Sequence, residues 1–377
     1  MSQRLQQLKT RYPNADLMNV AHLDLYRSRH KIEIKPLYHA THSHDLDFLG
    51  FLQDCRHLGF KENSDRVFAF LSFTNEASFY WHDIRIDCTK AAEEVYLQLA
   101  REYMKWRRKQ AVDLLHYVQH TETTIKSQFP TWVPRWDINI YHGIVYHPTL
   151  VTLKSPSPKS LSSDIKPVLC DNDIFRARGV LFGPVIYTSD LFSRSVSIDG
   201  ISSLWQVIRS FPINSPYQAS YKAIAFTQTL CLGKFIRPWS YAQKCRELYI
   251  RRLEGSEPQS EQEYKDIQFY HEWIQSSVHN RRFILTQRGY YGLGPRPVAK
   301  GDVSGVIFGG KSCVFLRAEP LRPDIYKYLG DGVLTSKTVH SVVEDGGGEA
   351  MFPFGMYGGG QDWVEWEDVS DQDISLC

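Results

Sequence analysis

One stretch of this sequence matches, letter for letter, a pattern used to hold phosphate: Gly305 to Ser312 reads GVIFGGKS, a case of G-x-x-x-x-G-K-S. In a working loop of this kind the backbone amides face the phosphates. The lysine, here Lys311, reaches the terminal phosphates, and the hydroxyl, here Ser312, holds magnesium. That chemistry needs a strand that bulges and then opens a helix. Val306, Ile307 and Phe308 are strand formers, however, and Cys313, Val314, Phe315 and Leu316 resume the same character. Pro320 and Pro323 then close off any helix. The expectation is a hairpin turning at Gly309 and Gly310. A nucleotide-binding enzyme using Gly305, Gly310, Lys311 and Ser312 is the alternative.

A second cluster, HATHSHDLD, gathers His39, His42, His44, Asp45 and Asp47. It is similar to the HxHxDH stretch of metallo-β-lactamase-type hydrolases, whose side chains converge on one or two metals. Aligned on His42 and His44, Leu46 stands where an aspartate is needed and Asp47 where a histidine is needed. Leu46 and Leu49, and Phe48 and Leu52, also recur at helical spacing, and Ser43 is placed to cap the first turn. A helix is therefore preferred to a metal site built from His39, His42, His44 and Asp47. His271-Glu272 opens like the zinc-protease HExxH, but Gln275 fills the place of the second histidine, so a surface helix is expected. Lys105, Arg107, Arg108 and Lys109 flank Trp106 and could touch a nucleic-acid backbone. A solvated helix face with Trp106 packed inward explains the same residues. No cofactor is expected.

The elements that would position these residues follow from periodicity. A helix opens at Thr89, with Glu93 and Glu94 early and the basic residues late, matching the helix dipole. Its apolar stripe is Val95, Leu99, Tyr103 and Trp106, continued by Val112, Leu115 and Val118. Trp132, Val133, Trp136, Ile138 and Ile140 read as strand, as does FRARGVLFGPVIYTS from Phe175. Helical pattern returns near Ile201, at Tyr217 to Leu230 and at Ser240 to Leu253; Glu254 to Glu263 interrupts it, and QFYHEWIQSSVHN ends it. From Arg281 to Glu319 short β-type runs alternate with glycine turns. The predicted fold class is α+β, helical segments with a small antiparallel β barrel or sheet near the C-terminus. The predicted regions are a mainly helical 1–126, a β-rich 127–200 with a loop at 154–167, a helical 201–280, a small β-module at 281–343, and an acidic, Gly-rich tail at 344–377 expected to be disordered.

The 377 residues carry a net charge of +2, distributed unevenly. Glu344 to Cys377 holds nine acidic residues and no Lys or Arg, which leaves 44 basic against 33 acidic residues before it, a net +11. That excess keeps a nucleic-acid-binding module as a further alternative, less favoured than a charge spread over a large surface. Seven scattered cysteines without a CxxC encode neither a disulfide framework nor a thiolate metal site. The N-terminus lacks the apolar core of a signal peptide, and no run approaches the ~18 apolar residues that span a bilayer. The expectation is a cytoplasmic chain with no membrane contact.

Four blocks, taken in order, resemble the region downstream of the HET domain in fungal heterokaryon incompatibility proteins. DRVFAFLSF at Asp65 to Phe73 is similar to that family's S-x-P-R-D-x-V-F-A-L-L-G stretch. DCTKAAEEVYLQLAREYM with VDLLHYVQH resembles its Tyr-containing helix and L-D-L-L segment. PTWVPRWD at Pro130 to Asp137 is close to P-S-W-V-P-D-W. The most specific is RRFILTQRGYYGLGPRPVAKGDVSGVIFGGKSCVFLR, which resembles R-R-F-F-x-T-x-x-G-Y-x-G-L-G-P…G-D-x-V…L-F-G-G…L-R. The likeness covers roughly residues 43 to 137 and 281 to 330. Asn63 and Ser64 stand where the family usually has Pro and Arg, Ser72 stands where it usually has Gly, and the sequence after Gly330 departs from the usual ending. The family's front domain, which carries Y-x-A-L-S-Y-x-W-G and to which catalytic or death-inducing activity would belong, has no counterpart here. The resemblance thus implies no catalytic residues. It implies a non-enzymatic accessory or regulatory region, or a degenerate paralogue, acting through contacts with a protein partner in non-self recognition.

Overall fold

The computed structural model describes residues 48–71, 84, 87–140, 167–232, 239–310, 312–342, 348–353 and 368–377. These residues divide between two compact units: one contains the described residues up to Trp106 together with 134–139, the other 107–133 and 140–377.

In the first unit, helices α1 (Phe48–Asp54), α2 (Asp65–Leu71) and α3 (Ala92–Trp106) bury the faces their spacing dictates. Leu49, Leu52, Val67, Phe68, Val95 and Leu99 are all in the core. Tyr96 is buried as well, and its hydroxyl donates to the Asn63 carbonyl at 2.9 Å, tying α3 to the start of α2. Segment 134–139 is fixed by charge. Arg135 grips Asp137 through two hydrogen bonds of 3.0 and 2.8 Å and lies 3.0 Å from Glu93. The Arg56 guanidinium sits 4.8 Å from the Trp136 ring centre and donates to the Ile138 carbonyl. Trp106 does not pack inward as expected but is 45% exposed, because Tyr103 and Met104 complete the buried face and the helix ends there.

The second unit is α+β. Its strands are β1 (Val168–Cys170), β2 (Ile174–Thr188), β3 (Arg281–Thr286), β4 (Tyr291–Pro295), β5 (Val303–Ile307), β6 (Cys313–Glu319), β7 (Arg322–Val342), β8 (Gly348–Pro353) and β9 (Gln372–Leu376). They form one nine-stranded sheet, antiparallel except where β7 runs parallel to β9. The sheet closes. β2 pairs with β5, β5 with β6, β6 with β7, β7 with β9, and β9 returns to β2. The two long strands are joined a second time by the β3–β4 hairpin, β3 on β2 and β4 on β7. Closure removes the unpaired edges that an open sheet of this size would present.

Two predicted regions therefore merge, because β2 from the 127–200 segment is a stave of the same barrel as the 281–343 module. The acidic tail is also corrected in part. Gln372–Leu376 is a strand held on both sides, Phe175 opposite Leu376 on β2 and Ile325 opposite Ser375 on β7. The Pro130–Ile140 segment, expected as strand, is irregular in both units. Pro130 and Pro134 deny it the amides a ladder requires. Its tryptophans are buried even so, and in the second unit Trp132 donates to the Asp173 carbonyl at 2.7 Å and packs on Phe175.

Helices α4 (Ile198–Arg209), α5 (Lys222–Leu230), α6 (Trp239–Leu253) and α7 (Glu261–Val278) form the helical layer. Ser197 and Ser260 cap α4 and α7, accepting the amides of Gly200 and Glu263. α5 lies against β4, β7 and β8. Two of its buried polar side chains are engaged there: Thr229 Oγ1 is 2.6 Å from Thr335 Oγ1, and Gln228 Oε1 accepts the Met351 amide, while the Thr227 hydroxyl donates back to the Ala223 carbonyl of its own helix. The core between helices and sheet includes Trp205, Phe226, Tyr249, Phe283 and Tyr291.

Candidate functional site

The phosphate-loop letters fold as a β-hairpin. Gly305 lies in β5 opposite Val314, and Val306 lies opposite Cys313 in β6. The chain reverses through Phe308 to Gly310, where the Gly310 amide donates to the Ile307 carbonyl at 3.0 Å and Gly309 takes φ +91°. Both glycines are needed. Gly309 adopts a backbone state that side chains resist, and a Cβ on Gly310 would sit 3.1 Å from the Ile307 carbonyl and 3.2 Å from Val112. Ser312 is buried, with Oγ 3.3 Å from His116 Nδ1. A phosphate-binding loop requires a helix after its lysine, and β6 stands there instead. The nucleotide-site alternative at Gly305, Gly310 and Ser312 is corrected accordingly; Lys311 lies outside the described residues.

His39, His42, His44 and Asp47 likewise lie outside the described residues, as does the Ser43 cap. Among the described residues no group of three or more His, Cys, Asp or Glu side chains is placed to hold a metal. His271 is a buried core histidine on α7, not a surface one. Its Nε2 is 2.8 Å from the Val196 carbonyl, so it carries the proton and donates, and its Nδ1 accepts from the Tyr249 hydroxyl at 2.9 Å. Burial holds its pKa below the usual histidine value, against the opposing pull of the Val196 carbonyl. All seven cysteines are free thiols. Among the described residues no helix is long and apolar enough to cross a membrane.

The residues that make the last block distinctive have structural work in the barrel. Arg281 is fully buried and donates to both the carbonyl and the carboxylate of Asp331. Arg317 forks onto Asp302 at 2.7 and 2.8 Å, while Asp302 also accepts the Ala299 amide. Gly289 takes φ +82° in the β3–β4 turn, as a turn glycine should. Gly292 and Gly294 lie within β4. They are small because neighbours approach: a Cβ at Gly292 would meet the Val333 carbonyl at 2.4 Å, and one at Gly294 would meet Val298 at 2.8 Å.

What no motif announced is a cleft of about 800 Å³ in the helical layer, bordered by α4, the start of α5 and α6. Trp205 and Arg209 come from α4, Ala219, Ser220 and Lys222 from the 3-10 turn that leads into α5 and from α5 itself, and Leu248 and Arg251 from α6. Arg251 is paired with Glu263, and Lys244 with Asp266, whose carboxylate is fully buried. Arg209 and Lys222 have no ion-pair partner among the described residues. A volume of this size is in the range that holds a small organic ligand. The cleft was not legible because its lining comes from separate elements with no shared spacing.

No family model, no curated protein and no solved structure matches this chain.

Proposed function

We propose that this chain is a non-catalytic accessory or regulatory module of the heterokaryon-incompatibility type, acting in the cytoplasm through contacts with a protein partner. One observation carries the reading. The stretch that most resembles that family, Arg281 to Arg317, is spent on building a closed barrel, with Arg281 turned onto Asp331, Arg317 onto Asp302, and Gly292, Gly294 and Gly305 closely approached by neighbouring atoms. Residues committed in this way set a shape and leave recognition to the surface around it. The hairpin at Gly309 and Gly310 speaks for the same reading, since the one strong enzyme motif becomes two barrel staves and a turn. The test is turnover: the purified chain, incubated with NAD, ATP or GTP and magnesium, should leave each of them intact. Hydrolysis of any of them, abolished by one point change in this chain, overturns the proposal.

A further inference from the structure

We propose that His271 is a proton-operated latch on the segment ahead of α4: neutral, it pins that segment to α7, and protonated, it leaves Tyr249, turns into the cleft beside it and lets the segment loosen. The first observation is that both ring nitrogens are committed. Nε2 donates to the Val196 carbonyl at 2.8 Å, on the irregular stretch 189–197, and Nδ1 accepts from the Tyr249 hydroxyl at 2.9 Å. The ring is 5% exposed and lies nearly parallel to that of Tyr249, which is 0% exposed. A proton arriving from solvent binds Nδ1 and turns that acceptor into a donor. Tyr249 can answer it only by turning its own hydrogen away, toward surroundings closed to water. The pair is then left with an unanswered donor and a buried charge.

The second observation is where the charged ring can go. A cleft of about 430 Å³ opens beside His271, bordered by Val196 and Asp199 from one side and by Arg252, Glu257, Tyr264 and Gln275 from the other. Its rim is negative: Arg252 lies 3.4 Å from both Asp199 and Glu257, so one cation faces two exposed carboxylates. Glu272, next to His271 on α7, also favours an imidazolium. On the buried side the titratable neighbours are Tyr249 on α6 and, near Tyr249, the Cys231 thiol at the end of α5, neither of which supplies a negative charge to the ring at neutral pH. A histidine set between a dry place that suits its neutral form and an acidic cleft that suits its charged form changes place as pH falls. The change is local. Gln275 Nε2 donates to the same Val196 carbonyl at 2.8 Å, so one hold on the segment survives. Next along the chain, Ser197 caps α4, its hydroxyl accepting the Gly200 amide and its carbonyl the Ile201 amide, both at 3.1 Å. Those two amides report on the segment. The latch is independent of the partner reading above, because a proton alone drives it.

The experiment follows the full chain by NMR from about pH 7.5 to about pH 4.5, the range in which a histidine changes charge. The His271 ring resonances, assigned by their loss in His271→Asn, give its titration, and amide exchange corrected for its intrinsic pH dependence gives protection. Protection of the Gly200 and Ile201 amides should fall by at least about tenfold, with the midpoint of the His271 titration, while the amides of β3 keep theirs. In His271→Asn the protection of Gly200 and Ile201 should not follow pH. Tyr249→Phe removes a hydrogen bond that only the neutral ring accepts, so it should move the His271 midpoint to higher pH. An imidazolium that stayed in place and donated to Tyr249 would instead move it to lower pH in that variant, and that result overturns the latch. So does equal protection of Gly200 and Ile201 with His271 neutral and charged, a His271 still neutral at about pH 4.5, or loosening of β3 in step with the start of α4. The unaltered chain gives the titration and the protection together, which decides the matter even if neither variant folds.

Discussion

Arg281 on β3 and Asp331 on β7 form a buried pair, with Nη1 2.9 Å from the Asp331 carbonyl oxygen and Nη2 3.2 Å from its carboxylate. Burial pushes the guanidinium pKa down, and Asp331 opposes that push. Removing one partner of such a pair strands the other charge, so Asp331→Ala should lower unfolding free energy by roughly 3–5 kcal/mol. Arg281→Met combined with Asp331→Leu should recover much of that loss. Urea unfolding measures both, and a loss well under ~1 kcal/mol in the single variant would mean that the pair does not hold the barrel.

Gly292 tests packing where Gly301 tests backbone conformation. A methyl at Gly292 would meet the Val333 carbonyl and Leu334, atoms that cannot step aside without breaking the β4–β7 ladder. Gly292→Ala should therefore destabilise by roughly 1–3 kcal/mol. Gly301 has open space around it but φ +96°, and Gly301→Ala should lose about 1–2 kcal/mol by backbone strain alone. Gly292→Ala should also speed amide exchange along β4, which Gly301→Ala should leave in place; equal exchange in the two variants would contradict the distinction.

Thr131 is the point at which the last strand is fastened. Its hydroxyl donates to the Cys377 carbonyl and accepts the Tyr328 amide at 2.8 Å, and its own amide donates to the same Cys377 carbonyl. Thr131→Val keeps the shape and deletes the hydroxyl, leaving a buried donor unanswered, for a loss of about 1–3 kcal/mol. Hydrogen exchange should rise at Ile374 and Leu376 before it rises in β3. Unchanged protection of those two amides would show that β9 is held without Thr131.

Stability should fall with pH in two stages. Burial lowers the pKa of His271 below its unfolded value of 6.5, so its contribution is present above that value and is lost as pH falls from there toward the folded value. For Asp266 burial raises the pKa, but the hydrogen bonds from Lys244, Gln262 and Tyr241 outweigh it and leave the folded value below 3.8. Asp137 behaves in the same way against Arg135. Those carboxylates stabilise above the unfolded value and lose their contribution as pH falls through the folded one. The urea midpoint should decline from about pH 7 to about pH 5 and again below about pH 4, and His271→Asn should flatten the first decline. A midpoint that rises between about pH 7 and about pH 5 would contradict this.

What could be read in the sequence was what local pattern determines. Ile201, Leu204, Trp205 and Ile208 recur at helical spacing and form the buried face of α4. The strand runs around Gly289 and Gly309 gave the β3–β4 and β5–β6 hairpins their places, because turn glycines and flanking β-formers are neighbours in sequence. The failures are long-range. QDISL reads as polar tail, and it becomes a strand only through β2, β7 and Thr131, which holds the adjoining Cys377 across 246 residues of chain. Trp132 and Trp136 have strand propensity, but Pro130 and Pro134 decide their backbone and burial decides their side chains. The cleft in the helical layer had no signal at all, since it is the fold that brings its lining residues together from α4, α5 and α6.

The most direct measurement is isothermal titration of the chain with ATP and with GTP, each with magnesium, for the unaltered sequence and for Lys311→Ala. With Gly305 and Val306 paired to Val314 and Cys313 across the β5–β6 hairpin, any heat from the unaltered chain should persist unchanged in Lys311→Ala. A one-to-one isotherm that disappears in Lys311→Ala would contradict the hairpin and return the chain to the nucleotide-using enzymes.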